Sequence, residues 1–548
     1  MNKLYKLLLL LILTVFSYSA FSQNPNTFNI SGNFQFDAQY YLEDSLIGAP
    51  VVPEKILSNG FGNLNFNYGN FNAGLRYESY LNPLLGFDPR YKGSGITYRF
   101  ASYTVNDLEV TIGNFYDQFG SGMIFRSYEE RTLGIDNAMD GIRLKYKPTS
   151  GVILKGFIGE QRSYFEKGPG IVRGFDGEIS LSEAIKSLAE AKTRVTIGAG
   201  VISKYQKDEN PIYVYPENVL SYSPRISIYR GRYNFNAEYG YKYNDPSLVN
   251  STFEYPQGIY KPGQALYLDG TYTKRGVGIT LASKFIDNMD FRSDRNATGN
   301  NLTLGYLPAL TKQQTYRLAT LYPYATQTNG EVGFQGDVFY KFKKGSALGG
   351  KRGTGISLNY SNAFSIDKTP VDNEDGYTAK FYGIGDEKYF EEVNVEVTKK
   401  MSKKLKMIFT YIYTVYNKDV VQGLSGFGTI YSHIGVAEGQ YKIDNNNSIR
   451  FEFQHLYTEQ DMQSWAMALV EYTISPHWFF AVFDEYNYGN DEVKKRIHYP
   501  NVSTGYTKGA NRIALSYGKQ REGLLCVGGV CRNVPASNGF SISVTSSF

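Results

Sequence analysis

The chain has 548 residues, of which 42% are hydrophobic, 16% aromatic and 20% charged, and its formal net charge at pH 7 is +5. This weak and dispersed positive charge argues against a nucleic-acid-binding protein. Tyr (48 residues) and Phe (35) are abundant, and the mean hydropathy of -0.36 is too low for a protein built from apolar membrane helices. An alternating β-strand averages each apolar residue with a polar one, so membrane-spanning strands remain compatible with that value.

The first segment, residues 1–22, has the features of a cleaved signal peptide. Two lysines precede an apolar run over 7–15, and Ala20-Phe21-Ser22 forms a small-x-small cleavage site. The apolar run is shorter than the about 20 residues that span a bilayer. We therefore expect export and cleavage, which leaves residues 23–548 as a single domain.

The stretch from Thr27 to Tyr41, TFNISGNFQFDAQYY, alternates strictly between apolar and polar residues. Phe28 begins the apolar parity, and Asn29 begins the polar one. Successive side chains of a strand point to opposite faces of the sheet. One face of this strand suits hydrocarbon and the other suits water, as in the wall of a transmembrane β-barrel.

The same unit repeats to the end of the chain, with strands joined in turn by tight turns and long loops. The predicted turns lie at 69–70, 106–107, 148–151, 231–232, 274–276, 401–403, 444–447, 475–477 and 509–511, and the predicted loops include 117–140, 206–220, 243–262, 364–388 and 521–537. If the first strand starts in the periplasm, all these turns fall on the periplasmic side, as in outer-membrane barrels. Residues 182–192 are predicted to form a helical turn on that side.

The number of strands depends on the region 286–332. It is 24 if this region is one loop, and 26 if Asn301–Tyr306 and Thr315–Tyr324 (TYRLATLYPY) form a further pair. Because long unstructured loops are uncommon, the sequence favours 26. We thus predict an all-β, antiparallel, up-and-down transmembrane β-barrel of about 24–26 strands, with short periplasmic turns and long extracellular loops.

The last strand, Gly539–Phe548, is amphipathic and ends in Phe. This ending resembles the signal by which the barrel-assembly machinery recognises its clients. The strand can pair with the first one and remove both sheet edges. A soluble sandwich or propeller is the competing interpretation, but hundreds of residues of continuous hairpins without a recurring blade motif favour the membrane barrel.

The polar parities of the strands predict a hydrophilic lumen. They include Arg76 and Glu78, Thr97 and Arg99, Arg143 and Lys145, Glu392, Asn394 and Glu396, and Arg450, Glu452 and Gln454. A barrel of this size has room for water or for a plug. Since the first strand begins soon after the signal peptide, we expect no separate plug domain of the TonB-dependent type.

The segment 113–147 is richest in possible chemistry, because the alternation lapses there and charged residues cluster. They are Arg126, Glu129, Glu130, Arg131, Asp136, Asp140 and Arg143. Such a loop could fold into the lumen and narrow the channel with opposed charges. It could equally be a solvated surface loop with internal salt bridges, and this second interpretation is our default.

No set of residues predicts catalysis, a metal site or a cofactor. Glu129 and Glu130 are adjacent and would point apart in a strand, and no nucleophile with a matching base stands out. Only four histidines exist, and His433 and His455 lack a third ligand. We expect a protein that is not an enzyme and that has no cofactor.

The two cysteines, Cys526 and Cys531, are expected to form a disulfide that closes a small loop, because the export signal implies an oxidising compartment.

Three segments carry a family resemblance: Phe21-Ser22-Gln23, residues 115–146 and residues 517–548. They resemble an uncharacterised family of outer-membrane barrels from Bacteroidota-type bacteria. The resemblance implies fold and location but no activity. The group Arg521, Cys526, Cys531 and Arg532 would form a disulfide-pinned basic tip beside the closing strand.

The predicted function is a porin-like channel for hydrophilic solutes in a Gram-negative outer membrane. The alternative is a non-enzymatic barrel subunit whose long loops dock a surface lipoprotein or a secretion partner. Outer-membrane lipid and, during biogenesis, the barrel-assembly machinery are the other expected partners.

Overall fold

The computed structural model describes residues 28–246, 258–373, 375–527 and 530–548. The predicted signal peptide, residues 1–22, lies outside these ranges. Within them, no helix has both the length and the apolar character that crossing a membrane requires.

The fold is one closed antiparallel sheet of 24 strands, together with two small two-stranded sheets. The barrel strands are β1 (Asn29–Leu42), β2 (Ile56–Tyr68), β3 (Phe71–Tyr80), β4 (Gly93–Val105), β5 (Leu108–Phe115), β8 (Met139–Tyr146), β9 (Val152–Ser163), β10 (Glu166–Ser180), β11 (Thr193–Tyr205), β12 (Asn218–Arg230), β13 (Tyr233–Lys242), β14 (Gly263–Lys274), β15 (Val277–Asp287), β16 (Glu331–Phe342), β17 (Thr354–Pro370), β18 (Tyr377–Lys400), β19 (Leu405–Asn417), β20 (Thr429–Lys442), β21 (Asn447–Tyr457), β22 (Trp465–Ile474), β23 (Trp478–Tyr486), β24 (His498–Lys508), β25 (Asn511–Gln520) and β28 (Ser537–Ser547). The small sheets pair β6 (Glu129–Glu130) with β7 (Ile135–Asp136) and β26 (Gly523–Val527) with β27 (Val530–Val534).

Two short α-helices occur in the described residues, α1 (Leu181–Ala184) and α2 (Lys418–Gln422). The helix α1, followed by a single 3-10 turn at Lys186–Leu188, confirms the helical turn predicted within 182–192. It lies at the end of the barrel that carries the tight turns.

The first and last strands close the barrel as predicted. β1 pairs with β28 in antiparallel register, with Phe36 opposite Val544. The pairing continues to the end of the chain, where the backbone N–H groups of Gly32 and Phe548 each donate to the other's carbonyl oxygen over 3.0 Å. Because the sheet has no edge, its backbone groups can be satisfied within a bilayer.

The two parities of the strands face different environments. On β8, Ile142 and Leu144 are exposed apolar side chains, and they lie on the outer face. On β3, the opposite parity carries Arg76 and Glu78, which are buried inside the barrel. The outer wall is therefore apolar and the inner wall polar, which is the arrangement of a transmembrane barrel.

The prediction of 26 strands was wrong, because residues 288–330 form a single connection between β15 and β16. This connection lies inside the barrel and contains only an isolated bridge and one 3-10 turn. The run Thr315–Tyr324 alternates like a strand, but Tyr316, Leu318 and Tyr322 are all buried against the inner wall. The aromatic residues of this run pack in the barrel interior and do not contact lipid. The alternation of apolar and polar residues is the same in both cases, so the sequence does not distinguish them.

The predicted loop 364–388 is instead a continuation of the β17–β18 hairpin. Register shifts between Ala363 and Lys368 bend this hairpin, as β-bulges do. The first part of β18 packs on the outer face of the barrel, where the ring centroid of Phe381 lies 5.1 Å from that of Phe285. Phe285 is fully buried as a result, although it points outward.

Candidate functional site

Two connections fill the interior of the barrel: inner loop 1 (residues 116–138) and inner loop 2 (residues 288–330). They are hydrogen-bonded to each other, since the N–H of Arg126 donates to the carbonyl of Leu304 over 2.8 Å and the N–H of Tyr306 donates to that of Gly122 over 2.9 Å. A Cβ atom at Gly305 would lie 2.6 Å from the carbonyl oxygen of Met123, so glycine permits this close approach.

An apolar cluster joins the two inner loops to the wall. Its members from the loops are Phe119, Met123, Ile124, Phe125, Met289, Phe291, Leu304 and Leu307. They pack against inward side chains of the wall that include Phe157 of β9 and Ile286 of β15. The loops are thus a packed part of the barrel interior, not solvated surface segments.

Inner loop 1 is tied to the wall by a buried ionic cluster. Arg76 of β3 lies 2.7 Å from Glu78 and 2.9 Å from Glu129, and it also pairs with Asp136. Arg162 of β9 lies 2.6 Å from Glu78 and pairs with the same Asp136 oxygen. Each of these arginines thus meets carboxylates from both the wall and the loop, which is the pairing that buried charges require.

Two further side chains extend this cluster. The hydroxyl of Tyr116 donates to Asp136 over 3.0 Å, and burial raises the pKa of Tyr116 well above its usual value, so it remains a donor. Arg131 lies 2.6 Å from Glu129 and donates to the side-chain oxygen of Gln35 on β1 over 3.0 Å. Inner loop 1 therefore starts at β5 and reaches the closing seam at β1.

Arg126 joins the two inner loops, whereas Glu130 has a local role in inner loop 1. The guanidinium of Arg126 lies 4.4 Å from the ring centroid of Tyr128 and 4.0 Å from that of Tyr306, so it stacks between the two inner loops. Burial raises the pKa of Tyr128 to about 12. Glu130 accepts hydrogen bonds from the hydroxyl (2.6 Å) and the N–H (3.1 Å) of Thr132.

Arg143, on the inner face of β8, lies outside the loop but beside its start. It forms ion pairs with Glu109 (2.5 Å) and Asp117 (3.6 Å). Its Nη1 also donates to the carbonyl of Tyr116 over 3.1 Å. Arg143 thus holds the first residues of inner loop 1 against the wall.

Asp140 is separated from the other predicted site residues, because it lies on the outward parity of β8. It pairs there with Arg99 (3.4 Å) and Lys167 (3.2 Å), which are both about half-exposed. The prediction that Arg99 faces the lumen was wrong. A register shift makes Thr97 an extra residue in β4, and the alternation reverses beyond it.

Inner loop 2 crosses to the opposite wall through single polar contacts. Lys312 donates to Asn394 over 3.0 Å, and Gln314 donates to Glu392 over 2.7 Å. The N–H of Leu318 donates to the side-chain oxygen of Gln454 over 2.8 Å. The sequence prediction that Glu392, Asn394 and Gln454 face the lumen is confirmed.

On the β23–β25 side of the closing seam, two arginines share one buried carboxylate. Arg317 of inner loop 2 pairs with Glu485 of β23, and Arg521 lies 3.1 Å from the second oxygen of that carboxylate. Arg521 also donates to the carbonyl of Arg317 over 3.2 Å. The end of β25 is thereby linked to inner loop 2.

The hairpin β26–β27 carries the disulfide between Cys526 and Cys531. Beside it, Arg532 stacks on Phe87, with 4.1 Å from its guanidinium to the ring centroid, and donates to the carbonyl of Leu85 over 3.3 Å. Burial lowers the pKa of Arg532 to about 10, still far above neutral pH. This hairpin, which we call the mouth hairpin, folds over the barrel mouth rather than standing free, a placement for which the sequence carries no signal.

A cavity of about 520 Å³ lies between these elements and the inner face of β1. We call it the seam cavity. Its lining includes Arg131, Arg317, Arg521 and Arg532. In the part of the chain that the structure describes, no group of three or more His, Cys, Asp and Glu side chains could hold a metal ion.

These features define a transmembrane β-barrel whose interior is occupied by its own loops. The chain belongs to a family described as a family of unknown function (DUF6029), whose model matches residues 1–548. No curated protein matches the chain by sequence.

Several solved structures share the barrel fold at low similarity. The siderophore receptor PirA from Pseudomonas aeruginosa is 11% identical, with 96% of this chain and 82% of that chain covered and a TM-score of 0.39. Pseudomonas aeruginosa OprD is 11% identical, with 81% and 100% covered and a TM-score of 0.35. Acinetobacter baumannii OccAB3 is 9% identical, with 95% and 98% covered and a TM-score of 0.36. These likenesses carry no functional information about this chain.

Proposed function

We propose that the protein is a porin-like outer-membrane channel for small hydrophilic solutes, narrowed by its two inner loops. The observation that carries this proposal is the seam cavity, because the loops leave about 520 Å³ between themselves and β1. The inner loops thus fill the barrel interior unevenly, and the part that they leave open lies along β1.

The polar face of β1 continues beyond the cavity toward the tight-turn end of the barrel. Gln35, Asp37 and Gln39 line the cavity itself. The same parity includes Asn33 and Asn29, which are exposed toward the tight-turn end. A solute that leaves the cavity would therefore meet a hydrated, polar wall, as in barrels with aqueous lumens.

Conductance of the full mature chain in planar bilayers tests the proposal. We expect discrete, small conductance steps, because the inner loops occupy most of the lumen. Heat-modifiable migration in gels serves as the control for a folded barrel. A folded barrel that conducts no ions and mediates no liposome swelling would overturn the proposal.

The outer membrane is the proposed location, and the aromatic residues of the outer wall support it. Tyr68, Tyr103 and Tyr146 are exposed, outward-facing and close to the tight-turn ends of their strands. Aromatic side chains at such positions form the interfacial girdle of a membrane barrel. The proposal includes export, assembly by the barrel-assembly machinery and a Bacteroidota-type source. Membrane fractionation, with an intact outer-membrane marker, tests the location.

A second candidate is a barrel subunit that docks a surface lipoprotein or secretion partner. The loop between β11 and β12 favours it, because Ile212 and Val214 are 78% and 93% exposed there. Exposed apolar side chains at the tip of a long loop are suited to contact with another protein. If this candidate holds, a doubly substituted chain (Ile212→Ser with Val214→Ser) loses a stoichiometric partner in mild detergent without any change in conductance. A barrel that purifies alone before and after the substitution would rule it out.

A further inference from the structure

The seam cavity has one cationic side, formed by four arginines from four different segments. Arg131 belongs to inner loop 1, Arg317 to inner loop 2, Arg521 follows β25, and Arg532 lies in β27. Segments so far apart in the chain are brought to one cavity only by the folding of the inner loops and the mouth hairpin.

These arginines have fewer carboxylate partners than charges. Arg317 and Arg521 share the single carboxylate of Glu485. Among the described residues, no carboxylate oxygen lies within ion-pair distance of Arg532, and its buried Nε has no hydrogen-bond acceptor. A guanidinium held between a backbone carbonyl and a ring, without an anion, is only partly compensated for its burial.

One carboxylate, Asp37, also lines the cavity, but it has local partners. Its oxygens accept hydrogen bonds from Gln35 (2.8 Å) and from the hydroxyl of Ser543 (2.6 Å). These donors are neutral, and among the described residues Asp37 forms no ion pair with any of the four arginines, whereas Arg131 is paired with Glu129. The unmatched positive charge of the cavity therefore lies on the side of Arg521 and Arg532.

The cavity also has an apolar side, which adjoins Arg532 because the guanidinium of Arg532 stacks on Phe87. This side is formed by Leu84, Leu85 and Phe87 of the loop between β3 and β4 and by Leu524 and Val534 of the mouth hairpin. A cavity that combines a cationic side with a hydrocarbon side complements a ligand that has both characters. Its volume lies within the range of about 300–1,000 Å³ that is usual for small-molecule sites.

We propose that the seam cavity binds a small organic anion, a carboxylate with a short hydrocarbon body. The carboxylate would lie between Arg521 and Arg532, since the planar guanidinium donates to both oxygens of a carboxylate. The hydrocarbon body would lie against Leu85, Phe87 and Leu524. This assignment rests on the proposed channel in one respect only, in that the bound anion would be its transported solute.

Binding is tested by isothermal titration of the full mature chain in detergent, with sodium hexanoate as the probe. We expect hexanoate to bind at least about ten times more tightly than 1-hexanol, hexylamine or inorganic phosphate, because each of these lacks one required character. If 1-hexanol bound as tightly as hexanoate, the proposed role of the arginines would be wrong. If phosphate bound as tightly as hexanoate, the proposed role of the apolar side chains would be wrong. The affinity for hexanoate should fall as sodium chloride is raised.

Substitution of Arg532 locates the site. Arg532→Gln should weaken hexanoate binding about tenfold or more, and Arg532→Lys should weaken it less. The matched control is Arg275→Gln, since Arg275 is exposed in the tight turn between β14 and β15. Unchanged affinity in folded Arg532→Gln would overturn the site. If that variant does not fold, Arg521→Gln serves, with the same expected loss.

The two proposals fail in different measurements. Hexanoate binding in detergent by a barrel that does not conduct would overturn the channel and leave the site standing. Conductance without saturable hexanoate binding would overturn the site and leave the channel standing.

Discussion

The two inner loops fill the same lumen but are held there by different chemistry. Inner loop 1 is tied down by charge, since Glu129 and Asp136 meet Arg76 and Arg162 in one buried cluster. Beyond its start, inner loop 2 is held by an apolar cluster in which Tyr316, Leu318 and Tyr322 pack against the wall. Separate hydrogen bonds, such as that of Gln314 with Glu392, add to this packing.

This difference indicates how each loop would respond to a perturbation. In a buried ionic cluster, loss of one carboxylate leaves several arginines short of a partner, so the cost is concentrated. In an apolar cluster, truncation of one side chain leaves the other contacts in place, so the loss is local and the rest of the loop can remain packed. Inner loop 2 is therefore the better candidate for a movable element.

The largest expected effect is that of Asp136→Asn, which removes the carboxylate shared by both arginines. The docked state of inner loop 1 should lose about 3–5 kcal/mol, because buried guanidinium groups are left incompletely paired. Amide hydrogen exchange over residues 116–138 should accelerate. Unchanged exchange would mean that the ionic cluster does not hold this loop.

Leu318→Ala should release inner loop 2 instead. Leu318 is fully buried, and its truncation should cost about 2–5 kcal/mol through the lost contacts and the cavity left behind. Faster exchange is expected over 310–325 but not over 116–138. Leu348→Ala is the matched control, since Leu348 is 66% exposed in the turn between β16 and β17. Faster exchange in both loops would show that they move as one unit.

Arg126→Gln tests the joint between the two loops. It removes the stacking on Tyr128 and Tyr306, which is worth about 0.5–2 kcal/mol. Exchange should rise modestly at residues 122–126 and 303–306 together. A rise on only one side would show that the stacking does not couple the loops.

The smallest effect is expected for Asp140→Asn. Asp140 lies only four positions from Asp136, but its partners Arg99 and Lys167 are half-exposed on the outer wall, so the cost should be about 0–1 kcal/mol. Thermal unfolding of this variant and of Asp136→Asn, measured side by side, provides the comparison. Equal losses would contradict the assignment of the two carboxylates to opposite faces.

Much of the wall was predictable from local pattern. The alternation over Thr27–Tyr41 and the tight turns such as Gly69-Asn70 determine strand faces and strand order through purely local rules. The closure of β1 on Gly539–Phe548 follows because an amphipathic barrel cannot leave an edge in lipid.

The interior was not predictable in the same way, because it depends on contacts that are distant in sequence. Residues 315–324 alternate, yet they pack inside the lumen, and the reversal at Thr97 needs the register of β3 to be known. The arginines of the seam cavity were unpredictable for the same reason, since Arg317 and Arg532 line one cavity only in the closed barrel. The periodicity of a strand predicts toward which face each side chain points. It does not predict which distant segment packs against that face.

The seam between the first and last strands is also joined on its inner side. Arg131 links inner loop 1 to Gln35 of β1, and Arg521, just beyond β25, links inner loop 2 to the other flank of β28. Lateral opening of the barrel at this seam would have to break these interior contacts as well as the strand pairing. We therefore expect closure of the wall and docking of the inner loops to be coupled when this barrel assembles.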